Sequence, residues 1–243
     1  MSTTHRQQEE LFVTTRWTVI RRAHGSDTTA AHTALADLCR TYWPPLYAYA
    51  RRSGCSPHDA EDATQGFFER LLRLESLAAV SRERGKFRAF LLAALKHYLS
   101  DQRDHAHARK RDARATFSLD AASAETRYLA VPANTLTPDQ VFDRQWALTL
   151  LETVMQRLAR EYEASGRGAL FAALRFSIAG EKGVAPSREL AAQLGLSDEA
   201  VRVAIHRLRR RYRSALREEL AHTVGSEAEV AEELNDLRRI LSQ

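Results

Sequence analysis

Residues 187–212 read SRELAAQLGLSDEAVRVAIHRLRRRY, and their spacing predicts two helices joined by a tight glycine turn. Ser187 is suited to cap the first helix, Leu190 and Leu194 give it an apolar side, and Ala191 is small enough for a second helix to cross closely. Gly195 supplies the left-handed backbone that ends it. Ser197 is placed to cap the next helix, with Asp198 and Glu199 beside its positive end. Val201, Ala204, Ile205, Leu208 and Tyr212 then form one stripe for burial, leaving Glu199, Arg202, Val203, His206, Arg207, Arg210 and Arg213 outside. Such a helix suits the major groove, where its first turns reach base edges and its later arginines neutralise phosphates. A helical hairpin with a solvated basic face would share the period. The joint placement of Ala191, Gly195 and five apolar positions points to DNA instead. Repressors, activators and recombinases all use this motif, so it does not fix the class of protein.

Composition narrows the class. A chain of 243 residues can bury a sizeable core, most simply as two domains. Only 10 Gly and 6 Pro, against abundant Ala, Leu, Arg and Glu, favour an all-α protein. The net charge of +5 suits a polyanionic partner, and nucleic acid is the first choice. Cys39 and Cys55 show neither a disulfide framework nor the spacing of a zinc site, so neither metal nor cofactor is expected. The N-terminus MSTTHRQQEE has no apolar export segment, and the apolar run from Phe87 to Leu99 is too short for a bilayer. A cytoplasmic protein without membrane insertion is expected.

Helical periodicity divides the chain into an N-terminal extension (1–27), a helical domain (28–111), a flexible linker (112–136), a second helical domain carrying the helix-turn-helix (137–221) and an acidic amphipathic tail (222–243). Within the first domain Leu35, Leu38, Tyr42, Leu46 and Tyr49 mark a helix that Pro44 and Pro45 are expected to kink or divide. Ser56 and Pro57 open the next. No internal repeat is evident.

That second helix, SPHDAEDATQGFFERLLR from Ser56 to Arg73, carries Asp59, Asp62 and Glu69 on one side and Phe67 and Leu71 on another. A solvated face would look the same, but acid set in a basic chain also suits a protein-docking surface. Thr64 within it is a candidate phosphorylation site. The following block, SRERGKFRAFLLAALKHYLSDQRDHAHARKR from Ser81 to Arg111, interleaves Phe87, Phe90 and Tyr98 with cations, a mixture suited to single-stranded DNA. Phe87, Phe90 and Leu91 themselves are expected in the core.

These three blocks, in this order, resemble a bacterial extracytoplasmic-function sigma factor of the sigma-70 family, over roughly residues 30–111 and 137–217. Asp59-Ala-Glu-Asp62-Ala-Thr-Gln65 with Phe68 is similar to the region 2.2 helix that docks on core RNA polymerase, which implies polymerase contacts by Asp59, Glu61, Asp62, Gln65 and Phe68. Phe87-Arg-Ala-Phe90-Leu91 through Asp101 and Arg103 resembles the segment that melts promoters and reads the minus-ten element. The resemblance implies DNA contacts by Ser81, Arg82, Arg84, Lys86, Arg88, Lys96, His97 and Arg103. The helix-turn-helix resembles region 4.2, implying minus-thirty-five contacts by Arg188, Ser197, Glu199, Arg202, Val203, His206, Arg207 and Arg210. The family usually has Trp at position 90, Asn at 97 and an acidic residue at 66, where this chain has Phe, His and Gly. Phe12-Val-Thr-Thr-Arg-Trp17 resembles the opening of one subgroup. The implied partners are core polymerase and promoter DNA, with an anti-sigma protein or a regulatory kinase as controlling partners; bond-forming chemistry stays with the polymerase, so no catalytic residue is expected.

Val230, Leu234, Leu237 and Leu241 give the tail an apolar stripe, and Glu227, Glu229, Glu232, Glu233 and Asp236 surround it. It is readable either as a helix completing the core of the second domain or as a cover over the basic helix-turn-helix or another DNA-binding face. Two other functions fit parts of the chain. A stand-alone helix-turn-helix regulator explains residues 187–213 but not the acidic and aromatic-basic helices. A metal-dependent hydrolase could use His97, Asp101 and His105, spaced every four residues, but no established metal constellation accompanies them.

Overall fold

The computed structural model describes residues 29–73, 86–106, 121–130, 136–179, 187–224 and 226–242. Among these residues all regular structure is helical: α1 (Thr29–Arg52), α2 (Pro57–Arg73), α3 (Phe87–Ala106), α4 (Ala121–Leu129), α5 (Pro138–Ala164), α6 (Gly168–Leu174), α7 (Phe176–Ala179), α8 (Ser187–Leu194), α9 (Asp198–Ala221) and α10 (Glu227–Leu241). The all-α expectation holds. The extension 1–27, with Phe12–Trp17, lies outside the described residues.

Two compact units divide the chain. The first takes the residues up to Thr149 and again from Ala221, and the second takes Leu150–Leu220. The sequence division sets residues 137–221 and 222–243 apart from the first helical domain. By compactness, the opening of α5 and all of α10 group with it.

In the first unit, α1 passes through Pro44 and Pro45 as one helix rather than two. Each proline removes an amide donor, but Leu38, Tyr42, Trp43, Leu46, Tyr47 and Ala50 are buried on both sides of the pair and hold the helix together by packing. The helix α2 starts as its sequence dictates: Ser56 Oγ accepts from Asp59 N at 3.2 Å and donates to Asp59 Oδ2 at 2.6 Å, and Pro57 occupies the first turn, where its missing N–H is harmless. Phe87, Leu91, Leu95 and Leu99 recur every fourth residue along α3 and are buried. Ring contacts join the three helices: Tyr42 meets Phe87 edge-on at 5.3 Å, Trp43 stacks with Phe68 at 6.0 Å, and Phe67 meets Tyr98 at 6.0 Å.

A helix, α4, forms inside the stretch expected as a flexible linker. Its Glu125 accepts from Tyr47 Oη at 2.6 Å and from Arg51 Nε and Nη2 at 2.8 Å each, with Ala124 buried and Arg51 5.1 Å from the Tyr128 ring. The bidentate Arg51 fork holds the Glu125 carboxyl below its ordinary range. Thr137 and Gln140 cap α5 reciprocally, at 2.8 and 3.3 Å. Val141, Phe142, Gln145 and Trp146 of α5 are buried, and Gln145 Nε2 donates to Arg127 O at 2.9 Å.

Ser226 caps α10, and the helix buries Val230, Glu233, Leu237 and Ile240. The expected stripe is therefore corrected: Leu241 is 41% exposed, while Glu233 turns inward.

The second unit buries Leu150, Val154 and Leu158 of α5, Phe171, Leu174, Leu190, Ala191, Val201, Leu208 and Leu220. The short helices α6 and α7 were not foreseen in the sequence. A charged network steadies α9 there: Arg211 binds Glu161 at 2.6 Å and Glu218 at 3.0 Å, and Arg157 binds Glu161 at 3.1 Å, Glu219 at 3.4 Å and Glu218.

Candidate nucleic-acid interface

Residues 187–221 form the expected pair of helices and turn. The turn at Gly195 has φ +64, and Leu196 N donates to Ala191 O at 3.0 Å as the first helix closes. Ser197 Oγ then accepts from Ala200 N at 3.1 Å, capping α9. Val201 and Leu208 are buried with Ala204, Ile205 and Tyr212 partly so, and Glu199, Arg202, Val203, His206, Arg207, Arg210 and Arg213 are all exposed. Arg188 and Ser197 are exposed as well. Arg202 makes an ion pair with Asp198 at 2.9 Å one turn back. Arg209 turns the other way and donates to Ser177 O at 2.7 and 3.0 Å, tying α7 to α9. This anchoring use of one arginine among outward-facing arginines has no signal in the sequence.

The first unit carries two more candidate surfaces. On α2, Asp59 and Asp62 are exposed, Glu61 and Gln65 are half-buried, and His58 approaches Asp62 at 3.6 Å. Phe68, expected on this face, is a core residue: it is 5% exposed and stacked with Trp43. Thr64 is fully buried, and its hydroxyl donates to Ala60 O at 2.7 Å, so the phosphorylation reading is withdrawn for the folded chain. Gly66 lies against Tyr98, whose hydroxyl accepts from Gln102 at 2.9 Å.

On α3 and at Lys86 just before it, the expected DNA-contacting cations are engaged by carboxylates. Lys86 pairs with Asp236; Arg88 binds Glu233 at 3.0 Å, Asp236 at 2.7 Å and Asp143, and its guanidinium lies 4.6 Å from the Trp146 ring; Lys96 pairs with Asp139. Arg88 is only 10% exposed. Burial lowers its affinity for the proton, but the surrounding carboxylates overcome this and raise it above the ordinary value. Burial pushes the Glu233 and Asp143 carboxyls up. Burial also works upward on Asp236, but hydrogen bonds from Lys86 and Arg239 prevail and hold it low. His97 is exposed and lines an apolar groove of about 400 Å³ with Phe67, Arg70, Leu71, Phe90 and Tyr98. Ser81, Arg82 and Arg84 lie outside the described residues, and Arg103 falls near the end of α3.

Asp101, offered as a metal ligand, instead makes an ion pair with Arg70 at 3.0 Å. Among the described residues no group of three His, Cys, Asp or Glu is arranged to hold a metal. No helix among them is long and apolar enough to cross a membrane.

An acidic helix followed by an aromatic and cationic helix, in one bundle of buried aromatics, defines a helical domain with two charged candidate surfaces. Residues 38–113 match the family model of Sigma-70 region 2, and over this stretch the chain is similar to the sigma-70 family. The family's role is in promoter recognition and melting with RNA polymerase. No curated protein and no solved structure matches the chain.

Proposed function

We propose that the chain is a sigma factor of the extracytoplasmic-function type. The observation that carries this reading is the region 2 match over residues 38–113, with the carboxylates of α2 exposed in it. The face formed by Asp59, Glu61, Asp62 and Gln65 docks on core RNA polymerase, where acidic groups steer a basic partner. The α3 segment, with the stretch from Ser81 to Arg88, holds the unpaired non-template strand. Capturing flipped bases offsets the duplex stacking of about 1 to 2 kcal/mol per step that is lost on opening. The exposed Arg202, Val203, His206, Arg207 and Arg210 of α9 read the minus-thirty-five element. Two weak contacts on one DNA molecule then act together, so promoter choice is bivalent.

Co-purification with core polymerase tests this, comparing the parent with Asp62→Arg and with a deletion of residues 187–217, followed by run-off transcription from genomic fragments. Asp62→Arg is expected to weaken retention about tenfold or more, as a like charge meets the basic partner, and the deletion to keep retention while losing promoter-specific transcripts. A folded parent that binds no polymerase, yet binds a palindromic duplex tightly, would make the chain a stand-alone regulator.

A further inference from the structure

Lys86, just before α3, and the α3 cations Arg88 and Lys96 meet carboxylates from two other helices of the same unit. Lys86 faces Asp236 and Glu233, Arg88 faces Glu233, Asp236 and Asp143, and Lys96 faces Asp139. From Lys86 to Lys96 this strip runs about 15 Å along the helix. Apolar contact alone does not call for it. Val230, Leu237 and Ile240 already seat α10, yet Glu233 is 2% exposed, a position where an apolar side chain would serve stability as well or better. Four carboxylates spaced over three cations resemble, in charge and in acceptor geometry, a short run of phosphates.

We propose that α10, with the opening of α5, is an acidic cover whose Glu233, Asp236, Asp139 and Asp143 occupy the cations that a single-stranded DNA backbone would otherwise engage. This rests on the promoter-melting reading for the identity of the strand. The covered chain binds single strands weakly, and whatever stabilises α10 away from α3 strengthens that binding by the same factor. The seat on α3 is the point of competition: a strand that takes Lys86 and Arg88 leaves Glu233 without its partners, so α10 leaves as a unit.

The test uses the full chain and a fluorescein-labelled mixed-sequence 20-nucleotide single-stranded DNA, read by anisotropy across a KCl titration. Asp236→Asn and the double variant Glu233→Gln, Asp236→Asn remove the charges with little change of shape. They are expected to tighten binding about three- to tenfold and to steepen the salt dependence by about 0.7 for each additional phosphate neutralised. Lys86→Ala placed in the Asp236→Asn background is expected to abolish this tightening. Glu232→Gln, an exposed charge on α10 that pairs with none of these cations, is expected to show none. Unchanged affinity and slope in variants as helical as the parent would overturn the cover. So would variants that lose helix or melt early without binding better, since α10 would then be a structural part alone. Polymerase retention of the parent, measured separately, keeps the two readings apart: retention without tighter DNA binding defeats only the cover, and tighter DNA binding without retention defeats only the sigma-factor reading.

Discussion

Tyr98 lies over Gly66 so closely that a β-carbon at position 66 would collide with the phenol oxygen. The glycine sits in the interior of α2, where it costs about 1 kcal/mol of helix stability relative to alanine. Its absent side chain is the space that Tyr98 fills while meeting Phe67 edge-on and taking a hydrogen bond from Gln102. Position 66 and position 98 therefore have to change together.

Gly66→Ala is expected to destabilise the folded chain by about 1 to 3 kcal/mol despite the better helix propensity, because the added carbon overpacks the contact. Gly66→Ala combined with Tyr98→Phe, which removes the colliding oxygen, should recover part of that loss. Urea denaturation of the four chains in this cycle measures it; additive losses would show that the two positions are not coupled.

Thr64→Glu is expected to lower stability by about 2 to 4 kcal/mol, since it places a carboxylate in a fully buried position beside Ala60. Thr64→Val, which keeps the shape, should cost less than about 1.5 kcal/mol. Thermal denaturation followed by circular dichroism distinguishes them. A stable, polymerase-binding Thr64→Glu protein would restore Thr64 as a regulatory position.

Glu125 ties α4 to α1, and its carboxyl is held below the ordinary value of 4.5 by Arg51. A lowered folded pKa means that the unfolded chain takes up protons first on acidification. The contribution is thus fully present above about 4.5 and fades as pH falls through the lower folded value. Glu125→Gln should lower stability by about 1 to 3 kcal/mol at pH 7, and the gap from the parent should narrow below pH 4.5. A gap independent of pH would mean that the carboxylate charge is not what holds the helix.

Arg207 and Arg210 are exposed on α9, and the proposed sigma-factor function gives each a phosphate to neutralise. Replacing either by Ala is expected to weaken binding to mixed-sequence duplex DNA and to reduce the slope of log affinity against log salt by about 0.9. Arg209→Ala, whose guanidinium holds Ser177 O, should instead lower stability and leave that slope nearly unchanged.

Where local chemistry decides structure, the sequence was legible. Ser56 with Asp59, Ser197 with Ala200 and the left-handed Gly195 all act within one turn of chain, and the outward face of α9 follows from a 3.6-residue period alone. What stayed hidden depends on residues far apart. Glu125 finds Arg51 across 74 positions, and Arg88 finds Glu233 across 145, with no local pattern to announce either pair. The stripe assigned to α10 was off by one position for the same reason: Arg88 draws Glu233 inward and Leu241 turns out. Its neighbours in the motif put Phe68 on the docking face, whereas the ring of Trp43, 25 residues earlier, claims it for the core. Pro44 and Pro45 read as breakers, but helix propensity yields to tertiary packing where both flanks are buried.

The first unit begins early in the chain and closes only with α10. During vectorial synthesis at roughly 5 to 20 residues per second, the ribosome delivers α1 to α3 several seconds before the segment that seats beside Arg88. The nascent chain therefore passes through an interval in which the Lys86 to Lys96 strip has no carboxylates from α10 at hand, beside a ribosome built of polyanionic RNA. Order of emergence, and not only final stability, thus decides which partner those cations meet first.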